Sequence, residues 1–134
     1  MRYLAVDLGD KRTGLAVGDD ELHMSQPVTV LEIPIGERLV NAIVNAIEEH
    51  GVDALVIGLP LNMDGSHGQR VAVTKAFAAT LQDATSLQLH FQDERLTSSA
   101  AEEKLSGSGK THKQKKKMRD ALAAAEFLND FLQK

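Results

Sequence analysis

The sequence predicts an α/β fold built on a five-stranded mixed sheet, with helices on both faces. Short apolar runs separated by Gly-containing turns fill the first 31 residues, as in antiparallel hairpins. From residue 37 onward, amphipathic helical patterns alternate with apolar runs of strand length, an order typical of parallel strands joined by helices. Hydrophobic residues make up 43 % of the 134 residues, enough for one core.

Five runs have the length and punctuation of strands. The first ends at a Gly-Asp turn and the second is expected to be its hairpin partner. The fourth is continuously apolar and stops before Pro60, which is typical of a buried strand. The five runs cover residues 3–8, 13–18, 27–31, 53–58 and 87–92.

Four helices are expected around these strands. The first covers 37–50, and Gly51 can end it in a left-handed conformation. The second covers 69–82, with Val73, Phe77 and Leu81 on its apolar face. The third begins near 97–99, where Ser99 and Glu102 fit a capping box, and it ends before a flexible loop at 106–109. The last covers about 114–132, and its apolar stripe consists of Met118, Leu122, Ala125, Leu128 and Leu132.

Composition restricts the protein class and its compartment. Cysteine is absent, which excludes disulfides, thiolate metal sites and cysteine nucleophiles and suits a reducing compartment. The N-terminus does not resemble a signal peptide, because Asp7 interrupts the apolar stretch, and no apolar run approaches a membrane span. We therefore expect a single domain over 1–134, located in the cytoplasm, with no membrane association.

A basic segment stands out in an otherwise acidic chain. The net charge is −4, yet positions 110–119 carry six Lys or Arg residues and no acid. Such a block is either a solvated stretch or an electrostatic contact for phosphates. Lys113, Lys116 and Lys117 are its candidate nucleic-acid contacts.

Carboxylates at the ends of predicted strands are the candidate catalytic groups. Asp7 ends the first strand, and Asp93 and Glu94 end the last. If these two strands are parallel and adjacent, their acids meet at the edge of the sheet where ligands bind. Asp120, on the last helix among small alanines, is the candidate third acid. Taken singly, each acid has an ordinary role as a turn, cap or first-turn residue.

Grouped carboxylates favour a hard divalent cation. Acids brought together repel one another, and oxygen-only ligands suit Mg²⁺ or Mn²⁺ better than zinc. A pair of such ions can activate water and stabilise the leaving oxygen in phosphodiester cleavage. Asp7, Glu94 and Asp120 are therefore the candidate catalytic and metal-binding residues, with Asp93 as the alternative to Glu94, while ordinary structural roles stay equally open at this point.

A weaker glycine signal lies in the first turn. Asp7, Gly9 and Gly14 form the pattern Asp-x-Gly-x-x-x-x-Gly. This pattern resembles the first phosphate loop of the actin and sugar-kinase group, in which a strand hairpin wraps the nucleotide phosphates. It supports the hairpin topology more than it identifies a ligand.

Four motifs in order resemble the YqgF family, whose members are known as candidate Holliday-junction resolvases and as the pre-16S ribosomal RNA nuclease. The opening motif is VDLGDKRTGLAV at 6–17. The central motif is VIGLP at 56–60 with DGS at 64–66, and the most recognisable is DERLTS at 93–98. The last lies in the C-terminal helix, with Lys117, Asp120, Ala121, Ala123 and Ala124.

This resemblance implies a ribonuclease H-like fold and a metal-dependent nuclease. Its substrate would be the 5′ end of precursor 16S rRNA, in ribosome biogenesis, or branched DNA as in Holliday-junction resolution. Lys11, Arg12 and Arg95 would contact the phosphate backbone, although solvent-facing charges or a salt bridge of Arg95 are equally ordinary. Partners would be nucleic acid and ribosomal particles, and the protein would be a monomer or a weak homodimer.

Two other functions stay open at this point. One is a nucleic-acid-binding module without catalysis, which would bind in a salt-sensitive manner and ignore metal. The other is an ATP-dependent phosphotransferase of the actin-like group, although that architecture uses two such domains and this chain has the length of one.

Overall fold

A computed structural model of the chain describes residues 1–94 and 112–133, with side chains described from residue 118 onward in the second range. Five strands and three helices lie within these ranges. The strands are β1 (Arg2–Asp7), β2 (Thr13–Asp19), β3 (Met24–Leu31), β4 (Ala54–Leu59) and β5 (Gln88–Asp93), and the helices are α1 (Glu37–His50), α2 (Gln69–Thr85) and α3 (His112–Leu132).

The strands form one mixed sheet in the order β3-β2-β1-β4-β5. β1 pairs antiparallel with β2, and β2 pairs antiparallel with β3. β4 runs parallel to β1, and β5 runs parallel to β4. The predicted mixed sheet and its opening hairpin are therefore confirmed. β1 and β5 are parallel as expected but not adjacent, because β4 lies between them.

The first face of the sheet packs on α1 and α2. Alternate residues of the strands point to this face, and most of them are large aliphatic side chains such as Leu4, Leu15 and Ile57. They meet the apolar stripes of the two helices, including Ile43 and Phe77. The predicted start and end of α1 are both confirmed, and Gly51 follows it with φ 62° and ψ 47°.

The second face packs on α3 and is richer in small residues than the first. Ala5, Ala16 and Ala54 on the strands meet α3, which buries Ala124 and Phe127 against them. Small side chains on both sides allow the helix to lie close to the sheet. Helices on both faces are thus confirmed, with two of the described helices on one side and one on the other.

Two predicted helix faces were wrong in detail. Val73 is 38 % exposed, because α2 is rotated so that Val71, Thr74 and Phe77 face the sheet. Phe127 was absent from the predicted stripe of α3 but is fully buried. The predicted helix starting near 97–99 lies outside the described residues. No helix within the described ranges combines the length and the apolar content that a membrane span requires.

Candidate active site

Asp7 lies at the carboxyl end of β1, where its side chain is hydrogen-bonded to that of Glu94. One of the two carboxyls must carry a proton, because two carboxylates have no donor to share. Alternation along β1 places Asp7 on the same face as Ala5, which is the α3 face. The residues predicted to meet from two strand ends therefore do meet.

Glu94 reaches Asp7 across the intervening strand β4. Gly58 on β4 makes this possible, since a Cβ atom there would lie 2.5 Å from Oε2 of Glu94 and 2.7 Å from the Phe127 ring. The Glu94 amide, in turn, donates to the Leu59 carbonyl at 3.4 Å. Because Gly58 has no side chain, the side chain of Glu94, which follows β5, can lie over β4 and reach Asp7 on β1. Asp93, one residue earlier, falls on the opposite face by strand alternation.

The two acids strongly perturb one another. Burial raises the pKa of Asp7 well above its ordinary value, and the nearby Glu94 and Asp120 charges raise it further. Burial also raises the pKa of Glu94, against the hydrogen bond from Asp7, which lowers it. The pair therefore holds a proton more tightly than free carboxyls do.

Asp120 lies beside this pair because α3 crosses β2 at a glycine. Gly14 is the register partner of Asp7 on β2. A Cβ atom on Gly14 would overlap the Asp120 carbonyl group and lie 2.6 Å from the Ala121 amide nitrogen. The main chain of the helix therefore rests directly on the strand next to Asp7. Gly14, which the phosphate-loop pattern singled out, acts here as the contact point for the helix.

Asp120 forms an ion pair with Arg12, which lies in the turn between β1 and β2. Arg12 Nε is 3.7 Å from Asp120 Oδ2. Burial raises the pKa of Asp120, while the charges of Arg12 and Arg119 lower it. A cavity of about 560 Å³ opens at this point, lined by Gly9, Asp10, Lys11, Arg12 and Asp120.

Arg70 is a residue of this site that sequence reasoning missed. It lies in the first turn of α2 and donates from Nη1 to Asp10 Oδ1 at 3.1 Å and from Nη2 to the Leu8 carbonyl at 3.3 Å. Its charge lowers the pKa of both Asp7 and Glu94. A cation in the first turn of a helix opposes the helix dipole, and this was the available sign that Arg70 has a partner elsewhere.

The donor chemistry of the site suits a hard divalent cation. All three acids offer carboxylate oxygens, and Asp7 with Glu94 are already within hydrogen-bonding distance. Among the residues that the structure describes, no three His, Asp or Glu side chains are grouped as a complete metal site. Asp7 and Glu94 are thus the assembled part of the donor set, and Asp120 stands next to them, paired with Arg12.

The predicted phosphate contacts are distributed unevenly. Lys11 and Arg12 are exposed at the cavity next to Asp120. Lys113, Lys116 and Lys117 belong to the first turns of α3, where the structure describes only the backbone. Arg95 lies outside the described residues.

The segment 62–66, which contains the DGS part of the central motif, forms a turn held by its own hydrogen bonds. Ser66 donates from its amide and from its hydroxyl to Asp64 Oδ1, at 2.8 and 2.6 Å. Asn62 Nδ2 donates to Ser66 Oγ at 3.0 Å. Such an Asx-type turn fixes the path of the chain from β4 into α2, and hence the position of Arg70.

A family model described as "RuvX: Holliday junction resolvase" matches residues 1–134. The chain belongs to the RuvX family. The resemblance to the YqgF family and the prediction of a nuclease are thereby confirmed at the level of the family. Relatives named "Putative pre-16S rRNA nuclease" include one from Chloroflexus aurantiacus, 39 % identical over 96 % of this chain and 84 % of its own, and one from Geobacillus kaustophilus, 37 % identical over 98 % and 97 %.

Solved structures with the same fold are much more distant in sequence. The T. thermophilus RuvC in complex with Holliday junction substrate has a TM-score of 0.59 and 13 % identity. The match covers 99 % of the chain described here and 94 % of the RuvC chain. The Fowlpox virus resolvase with Holliday junction DNA has a TM-score of 0.63 and 9 % identity, over 99 % and 97 %. This likeness confirms the predicted ribonuclease H-like fold.

Proposed function

We propose that this protein hydrolyses phosphodiester bonds in structured nucleic acid, with Asp7, Glu94 and Asp120 as its catalytic acids. The observation that carries the proposal is the hydrogen-bonded pair of Asp7 and Glu94, partly buried at one end of the sheet. A buried pair of like acids opposes folding, so a purely structural role does not account for it. Metal-dependent nuclease chemistry does account for it, because closely spaced carboxylates hold the divalent cations that activate water.

The three acids would hold Mg²⁺ or Mn²⁺. Bound there, divalent cations supply activated water and stabilise the leaving oxygen. The protein's part is to place the acids. The Asp7–Glu94 pair gives up its shared proton, Glu94 reaches Asp7 over Gly58, and Asp120 approaches over Gly14. Geometry favours Glu94 over Asp93, since Glu94 is the residue bonded to Asp7.

Lys11 and Arg12 would contact the phosphate backbone at the cavity beside Asp120. Arg95, Lys113, Lys116 and Lys117 would extend this basic surface, because they follow β5 and lead into Asp120 along the chain. Contacts of this type depend on charge, so substrate affinity should fall steeply with salt.

Precursor 16S rRNA is the substrate we favour, and we place the protein in the cytoplasm with pre-ribosomal particles. The relatives named for that substrate are 34–39 % identical, whereas the solved resolvases are only 9–15 % identical. Holliday-junction DNA is the second candidate, favoured by the description of the family model. A symmetric junction would need a dimer, and RNA end processing needs only a monomer.

The test offers precursor 16S rRNA and four-way DNA junctions side by side, in Mg²⁺, in Mn²⁺ and in EDTA. We expect the rRNA to be cleaved in metal, and Asp7→Asn to slow cleavage by about 10³-fold or more, since metal activation contributes several kcal/mol. Asp83→Asn is the matched control, because Asp83 is an exposed acid on α2.

Three outcomes separate the alternatives. Cleavage that persists in Asp7→Asn at the unaltered rate would contradict the site. Salt-sensitive binding without cleavage in any metal would identify a non-catalytic module. Cleavage of junctions alone would exchange the favoured substrate for the second one.

A further inference from the structure

The ion pair between Arg12 and Asp120 has the features of a weak contact, in which either residue can change its partner. A single guanidinium nitrogen, Nε, approaches one carboxylate oxygen at 3.7 Å, so the paired geometry that makes arginine–carboxylate contacts strong is not used. The side chains are 44 % and 29 % exposed, which leaves water as a ready alternative partner. Ion pairs at such positions are weak.

The surroundings of this pair offer each partner a second ligand. Asp120 stands next to Asp7 and Glu94, and its charge raises the pKa of both. Arg12 lines the cavity with Lys11, where a phosphate group of a nucleic acid would meet two cationic side chains. Asp120 pairs with Arg12, and the described residues do not group it with Asp7 and Glu94 as a complete metal site.

We propose that Arg12 and a divalent cation are alternative partners of Asp120. In the free protein Asp120 is paired with Arg12; when Asp120 turns to the cation, the guanidinium is released toward the nucleic-acid phosphate. Arg12 is therefore a positioning residue for Asp120 in one state and a phosphate contact in the other. This inference rests on the proposed function, because it takes Asp120 as a metal ligand.

Exchange of partners couples the two ligands. A cation that frees Arg12 strengthens nucleic-acid binding, and by reciprocity nucleic acid that engages Arg12 strengthens cation binding. Two independent sites, in contrast, would show no such coupling beyond the general attraction between charges.

The test measures Mn²⁺ binding without any nucleic acid, from the electron paramagnetic resonance signal of free Mn²⁺. Arg12→Gln should bind Mn²⁺ about two- to fivefold more tightly than the unaltered protein, the factor expected when a weak competing ion pair is removed. Lys11→Gln is the matched control. Lys11→Gln removes the same charge from the neighbouring position but leaves the ion pair between Arg12 and Asp120 in place.

A double substitution decides whether the effect passes through Asp120. In an Asp120→Asn background, Arg12→Gln should change Mn²⁺ affinity no more than Lys11→Gln does. Equal effects of Arg12→Gln and Lys11→Gln in the unaltered background, or a gain that persists without Asp120, would overturn the exchange but leave the nuclease proposal standing. Failure of the unaltered protein and of Arg12→Gln to bind Mn²⁺ would overturn both.

Discussion

The face of the sheet that packs on α1 and α2 is lined by leucine, isoleucine and valine, whereas the face that packs on α3 is rich in alanine and glycine, with Tyr3 and Val56 as its larger residues. The first face gains stability from the apolar surface that large side chains bury. The second face has less such surface, but the helix lies close enough for the Asp120 main chain to rest on Gly14, next to Asp7. The comparison separates the residues that hold the fold from those that assemble the site.

The largest effect is expected from a cavity on the α1–α2 face. Leu55 is fully buried in that core, so Leu55→Ala should lower the free energy of unfolding by about 2–5 kcal/mol. Cleavage per folded molecule should stay within about twofold, because α3 is not involved. Urea unfolding and a cleavage assay on the folded fraction measure the two quantities. A large loss of specific activity would show that the faces are not separable.

A single methyl group on the other face should act mainly on activity. Gly14→Ala forces the Asp120 main chain away from β2, and a displacement of about 1 Å costs about 100-fold in rate. Overpacking should also lower the free energy of unfolding by about 1–3 kcal/mol. Gly36→Ala is the control, since a Cβ atom there meets nothing within 4 Å. Equal activity of the two variants would show that the close approach of α3 to β2 is not what positions Asp120 for cleavage.

Removing an acid from the α3 face should stabilise the protein at neutral pH. The raised pKa of Asp7 means that the folded state binds this proton more tightly than the unfolded chain. That contribution is complete below the ordinary carboxyl pKa and is lost as the pH rises through the raised value. Asp7→Asn should therefore increase the free energy of unfolding at pH 7 by about 0.5–2 kcal/mol.

The gain from Asp7→Asn should shrink as the solution is made more acidic. Urea unfolding in EDTA across the acid to neutral range measures this trend, with Asp83→Asn as the control for a lost surface charge. A variant that is less stable at neutral pH, or a gain that does not change with pH, would show that Asp7 is not strained by its surroundings.

The smallest effect is expected at Arg70, which connects the two faces through the turn after β1. Its ion pair with Asp10 is exposed, so Arg70→Gln should lower the free energy of unfolding by only about 0.2–1 kcal/mol. Because Arg70 lowers the pKa of Asp7 and Glu94, its removal should shift the acid limb of Mn²⁺ binding to higher pH. Lys75→Gln, on the exposed side of the same helix, should change neither the free energy of unfolding nor the pH dependence of Mn²⁺ binding.

Local patterns in the sequence predicted the elements and the three candidate acids, with Asp93 as the alternative to Glu94. Asp7 is recognisable because it ends an apolar run before a turn, and Asp120 because it stands among alanines in a helix. The spatial order of the strands is not a local property, so the position of β4 between β1 and β5 could not be read from the chain. Nor could the role of Gly58, which depends on that order.

The residues that the sequence analysis missed or misplaced are those whose position depends on contacts with distant parts of the chain. Arg70 is separated from Asp10 by 60 positions, and nothing near it in the chain names its partner. Val73 was assigned to the wrong face because two nearly equivalent apolar stripes fit α2, and only packing against the sheet selects one. Glu94 was the predicted acid, but Asp93 stayed open as its alternative because a shift of one residue reverses strand alternation.

The contact of α3 with Gly14 has a consequence for how the protein is made. Asp7 is synthesised more than a hundred residues before Asp120, and the last helix is needed to bring the two together. A nascent chain that has folded only its first strands carries an incomplete set of acids. If the site acts as proposed, a partly translated chain is harmless to the RNA that surrounds it on the ribosome, and cleavage begins only after the final helix docks.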